Sequence, residues 1–137
     1  MSVAIILYII TVHWIADFIF QAEVWAVNKS TSNMDLFSHV FTYTLMFGLF
    51  GGFIFSNPCD YSAFGYCVDL SKLFPFLGIT FIAHFITDYI TSRIVKRKFE
   101  NNEYGSPIPN FGAFTIIGFD QVLHYTQLFL TYHFLTN

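Results

Sequence analysis

Residues 3–21, VAIILYIITVHWIADFIFQ, decide how this chain is read, because an aspartate and a histidine sit inside a run that is otherwise almost wholly apolar. About 20 apolar residues in a helix cross the hydrocarbon core of a bilayer. The isoleucines, leucine and phenylalanines of the run each favour insertion by ~0.3–0.6 kcal/mol, against ~2.5–3.5 kcal/mol for an acid at the centre. The run therefore inserts and carries Asp17 with it. A charge held there at a cost marks function.

Three further segments have the same character: residues 36–55, 73–95 and 111–135. The whole chain of 137 residues is 55% hydrophobic, 21% aromatic and 11% charged, with mean hydropathy +0.55. That composition argues against a soluble helical bundle, since runs this long leave little polar surface to face water. The expected fold is all-α, a polytopic membrane protein of four transmembrane helices forming a single domain over 1–137. The first run has no basic leader and no small-residue cleavage site, so it is expected to remain as the first helix.

Lys29 lies in the first connection and Arg93, Lys96, Arg97 and Lys98 open the third, whereas Lys72 alone marks the middle one. Basic residues stay inside, which places the first and third connections in the cytoplasm and both termini outside the inner membrane. Cys59 and Cys67, the two cysteines, then fall in an outer loop, 56–71. On that oxidising side they either pair or remain two thiols; spacing alone does not decide.

Four of the five histidines have an aspartate four residues away. His13/Asp17 and Asp35/His39 occur in the first half, His84/Asp88 and Asp120/His124 in the second, in the same order. The arrangement reads as a helical hairpin used twice, with halves 1–55 and 72–137 related as parallel repeats. Residues four apart share a helix face. With alternate helices running in opposite directions, each acid lies on the cytoplasmic side of its histidine, so all eight groups can meet at one depth.

Imidazole and carboxylate are ordinary ligands for zinc and similar ions. A cation would also neutralise buried acids. The metal candidates are His13, Asp17, His39, His84, Asp88, Asp120 and His124, with Asp88, His84 and Asp120 as catalytic candidates. Gln21, Lys29, Asp35 and Gln121 are candidates for contacting substrate or supporting the ligands. A divalent metal, zinc first, would activate water for hydrolysis of a lipid-linked or amphiphilic substrate. The competing readings are a proton- or ion-conducting carrier or channel, and structural pairing or partner docking. Expected partners are membrane lipids and a second copy of the chain. No nucleotide-binding loop, nucleophile elbow or nucleic-acid-binding pattern occurs.

His13-Trp-Ile-Ala-Asp17-Phe-Ile-Phe-Gln21, Lys29, His39, His84-Phe-Ile-Thr-Asp88 and Asp120-Gln121-Val-Leu-His124 together resemble a family of small integral-membrane proteins of bacteria and their phages, known only as a domain of unknown function. The resemblance implies a bacterial inner-membrane location and allows an accessory role at the phage–host envelope. Residues 81–88 alone also look like the His-x-x-x-Asp helix of membrane-bound metal-dependent hydrolases, whose further His-rich loops are missing here.

Overall fold

The computed structural model describes residues 1–60, 62–63, 65–105 and 111–137. The Ser2 hydroxyl accepts from the Ile5 amide (3.3 Å), and α1 runs Val3–Trp14. This cap supplies an acceptor for one of the donors that a helix start leaves unpaired. The ladder then widens into a π-helical turn, Ile15–Ile19, closed by the Phe20 amide donating to the Ile15 carbonyl (3.0 Å). Asp17 stands within it. Such turns are rare and recur at functional sites, where the added residue re-aims side chains.

A short helix, α2 (Glu23–Asn28), packs against α3 (Asn33–Leu49), whose start is capped by Ser32 Oγ accepting from the Asp35 amide (3.2 Å). Gly51 and Gly52 end this run in a 3-10 turn, Gly51–Phe55, where a Cβ on Gly51 would lie 3.0 Å from the Phe47 ring. Two strands, β1 (Ser56–Pro58) and β2 (Tyr66–Val68), pair antiparallel with Asn57 opposite Cys67. Asp69 opens α4 (Leu70–Glu100), its Oδ1 accepting from the Ser71 amide (3.1 Å) and hydroxyl (2.6 Å); these bonds hold the Asp69 carboxyl below its usual pKa. The last helix, α5, spans Ala113–Thr136.

The chain is mostly helical, as read from sequence, but α4 is the one helix among the described residues long and apolar enough to cross a membrane by itself. Residues 3–19 make a shorter apolar helical stretch, α3 has 17 residues, and α5 is diluted by Thr115, Asp120, Gln121, His124 and Gln127. One feature departs from an all-helical chain, the β1–β2 hairpin, pinned by a Cys59–Cys67 disulfide; the first connection holds a further short helix, α2. The third connection also starts later than expected, because α4 continues through Lys96, Arg97 and Lys98. Basic residues are favoured in a last turn by the helix dipole. Asn102 (φ 58°) and Gly105 (φ 88°) then turn the chain, while Pro107 and Pro109 lie outside the described residues.

Helix α4 packs on α3 and α5, and α1 packs on the other sides of both, so the four long elements close a ring around one interior. That interior is layered. His13, Asp17, His39, His84, Asp88, Asp120 and His124 are all buried at one level. One to three turns further along the same faces come Ile9, Phe47, Phe76 and Leu128, and then Phe55 and Tyr132. Phe76 lies 5.8 Å from Phe47 and 5.3 Å from Phe55, ring centre to ring centre. The outside is the converse: Leu7, Phe41, Leu45, Ile82, Ile86, Ile90, Val122 and Phe134 are exposed.

Candidate metal centre

All four parts of the ring carry ligand candidates, which reach inward from the helix faces. α1 with its π-turn supplies His13 and Asp17, α3 supplies His39, α4 supplies His84 and Asp88, and α5 supplies Asp120 and His124. His39 is central. Its Nε2 lies 3.2 Å from Asp17 Oδ1, 3.2 Å from Asp88 Oδ2 and 3.2 Å from His84 Nε2. His84 Nε2 is in turn 3.6 Å from Asp88 Oδ2 and 3.9 Å from Asp17 Oδ1. Four ligands at ~2.0–2.1 Å from a tetrahedral ion stand about 3.3–3.4 Å from one another. The separations around His39 and His84 bracket that edge length.

The buried polar atoms are incompletely paired. Asp17 Oδ1, His39 Nδ1, His84 Nδ1 and both ring nitrogens of His124 are buried without an aligned hydrogen bond. Leaving such groups unpaired costs about 1–3 kcal/mol each. A cation among Asp17, His39 and His84 would take up Asp17 Oδ1, and one at His124 would take up that ring's Nε2.

Existing contacts orient the remainder. His13 Nε2–H donates to Gln121 Oε1 (2.8 Å) and Nδ1 accepts from the Tyr43 hydroxyl (2.7 Å), the tautomer that the amide oxygen requires. Gln121 Nε2 donates to Asp17 Oδ2 and to Asp120 Oδ2, both at 3.2 Å. The Thr91 hydroxyl donates to Asp120 Oδ1 (2.6 Å), and His124 Nδ1 lies 3.6 Å from Asp120 Oδ2. Lys29 Nζ donates to Asp88 Oδ2 at 2.7 Å. Burial opposes the charge on Lys29, but the carboxylate of Asp88, with Asp17 and Asp120 behind it, outweighs burial and raises its pKa above the ordinary lysine value.

The cluster opens into a pocket of about 670 Å³. Asp17, Lys29, Asp88, Asp120 and Gln121 line its polar part, Phe18, Val27, Val95, Phe99 and Ile117 its apolar part, and Lys96 also borders it. Gln21 lines this pocket, and among the described residues no hydrogen bond joins it to the cluster. Asp35 stands apart: it occupies the first turn of α3, where an acid suits the helix dipole, and among the described residues no hydrogen bond or ion pair joins it to the cluster. Two contributors were not singled out from sequence, Tyr43 and Thr91. Each lies one turn along a marked face, at His39 plus four and Asp88 plus three, which is the signal that could have found them.

Fold and site together define a helical protein whose buried His/Asp groups can hold a metal ion. Residues 5–137 match the family described as a protein of unknown function, DUF3307, and the chain belongs to that family. No curated protein and no solved structure matches it.

Proposed function

We propose that this protein is an integral-membrane, metal-dependent hydrolase acting on a lipid-linked or amphiphilic ester. The observation that carries the reading is the set Asp17, His39 and His84, with Asp88 beside it, next to a pocket that combines buried acids with apolar walls. A divalent ion held by Asp17, His39 and His84 would supply a water that ionises near neutral pH and would polarise the ester oxygen. Water adds to the ester centre, the bond to the leaving oxygen breaks, and the proton lost by water ends on that oxygen. Asp120 is the carboxylate placed to pass this proton, and Phe18, Val95 and Phe99 give the substrate's apolar part a dry wall.

The membrane setting is supported by the exterior, where isoleucine, leucine and phenylalanine side chains face outward around an interior that holds the His/Asp layer. The disulfide suits a middle loop on the oxidising side, with the first and third connections, the pocket and its lysines in the cytoplasm. This proposal places four helices across a bacterial inner membrane with both termini outside.

Gln127 Nε2 donates to Thr80 Oγ1 (3.2 Å) and Thr131 Oγ1 (3.0 Å), and this extension of polar contacts beyond the imidazoles favours a second reading, a proton path. The Phe47, Phe76, Leu128 and Phe55 layer stands against it. The test uses full-length protein in detergent, stripped by chelator and reloaded with zinc or manganese, on amphiphilic carboxylic and phosphate esters. Metal-supported turnover lost in Asp88→Asn is expected. Tight metal binding without turnover of either ester class, together with Asp88-dependent proton flux in liposomes, would replace hydrolysis with conduction.

A further inference from the structure

His84 and His124 lie face to face, ring centres 4.0 Å apart and planes 4° from parallel, and the Asp88 carboxylate straddles the ends of this stack. Its Oδ2 is 3.6 Å from His84 Nε2 and its Oδ1 is 3.4 Å from His124 Nε2. An imidazole binds metal through a lone pair in its ring plane. An ion midway between two parallel rings would sit up to ~2 Å out of each plane, almost the full ~2.0–2.1 Å of a bond to nitrogen. One ion therefore cannot serve both rings, whereas two ions side by side can, each on its own imidazole and its own oxygen of Asp88.

We infer that the centre is dinuclear, with two divalent cations bridged by Asp88 and Asp17. This rests on the metal reading above. The first ion takes His39 and His84 with Asp17 Oδ1 and Asp88 Oδ2, the five atom pairs already at 3.2–3.9 Å. The second takes His124 with Asp88 Oδ1, and His13 with Asp17 Oδ2, the latter pair at 3.9 Å. His13, Asp17 and His124 offer ligand atoms within 4.8 Å of one another. The spacing of the stack matches the ~3.5–4 Å between ions in two-metal sites. Each ion draws on both halves of the chain, and the two ligand sets exchange when His13, Asp17 and His39 are swapped for His84, Asp88 and His124. The sequence repeat thus becomes a repeat of metal positions.

The surrounding groups fit. Tyr43 is placed to accept from His13 Nδ1–H once Nε2 binds metal, and Asp120 does the same for His124. Gln121 and Lys29, which hold Asp17 Oδ2 and Asp88 Oδ2, are the groups that must yield. Lys29 then turns into the pocket beside Lys96. Two divalent ions with Lys29 outweigh Asp17, Asp88 and Asp120 by two positive charges, which selects an anionic substrate. Within the amphiphilic class the centre fits a phosphate ester, clamped by both ions.

Manganese titration of chelator-stripped, full-length protein in detergent, followed by electron paramagnetic resonance, tests this. Two equivalents and an exchange-coupled spectrum are expected. His124→Gln should retain one equivalent and lose the coupling, with helical circular dichroism unchanged. A single uncoupled equivalent in the parent overturns the dinuclear centre and leaves the metal reading intact; no bound manganese or zinc overturns both.

Discussion

Lys29 Nζ and Asp88 Oδ2 are 2.7 Å apart, so a lysine from the end of α2 reaches the carboxylate that spans the ends of the two stacked imidazoles of α4 and α5. The ammonium competes with metal for that oxygen. Lys29→Met should bind zinc several-fold more tightly and, with chelator present, lose about 3–5 kcal/mol of stability, since a buried carboxylate is left without its partner. Because its pKa is raised by folding, the Lys29 contribution is complete below the ordinary lysine pKa of ~10.4 and is lost as pH rises through the higher folded value. Melting curves of metal-free parent and variant from neutral to strongly alkaline pH should therefore differ by a constant amount until the alkaline limit and then converge, and added zinc should narrow the difference at neutral pH.

Tyr43→Phe removes the hydroxyl beside His13 Nδ1 and changes nothing else in volume. Loss of a metal ligand's orienting partner costs about 10–100-fold in metal affinity. The expected result is weakening of one of two binding events by that factor, read by calorimetric titration, with the other event unchanged.

Much of this centre was legible because helical spacing is rigid. His84 and Asp88, four apart on α4, had to share a face, and the buried cost of an aspartate had to be met by something. The stacking of His84 on His124, and the reach of Lys29 into Asp88, depend on how helices far apart in sequence pack, which spacing does not encode. Asp35 shows the limit from the other side. It has the same four-residue relation to His39, but the Ser32 cap begins α3 there and fixes Asp35 in the first turn. The π-turn at Asp17 and the short α2 are local features that hydropathy, read over a whole span, averages out.

Gly112 admits no side chain. A Cβ there would lie 2.1 Å from the Gly105 nitrogen and 2.4 Å from the Tyr104 carbonyl carbon, where the amides of Ala113 and Phe114 bond back to Glu103 and Tyr104. Gly112→Ala should cost at least about 1–3 kcal/mol by forcing backbone apart. Thermal melts check the loss; hydrogen exchange should place it at the start of α5.

Cys59 and Cys67 close a short loop, with Cα atoms 5.7 Å apart. Thiol-reactive polymer should label intact cells only after reductant, and from outside. The chain-entropy account gives about 2.5 kcal/mol for a loop of this length, so Cys59→Ser/Cys67→Ser should melt lower by up to that amount while retaining the metal centre. The same membranes should hold the protein through alkaline carbonate washing.

The metal content of the purified, full-length chain tests the central claim most directly. Elemental analysis after dialysis should find tightly held transition metal in the parent and none in Asp17→Asn/Asp88→Asn, with both proteins helical by circular dichroism. A parent that stays free of metal after exposure to zinc and manganese, while folded, would contradict the account.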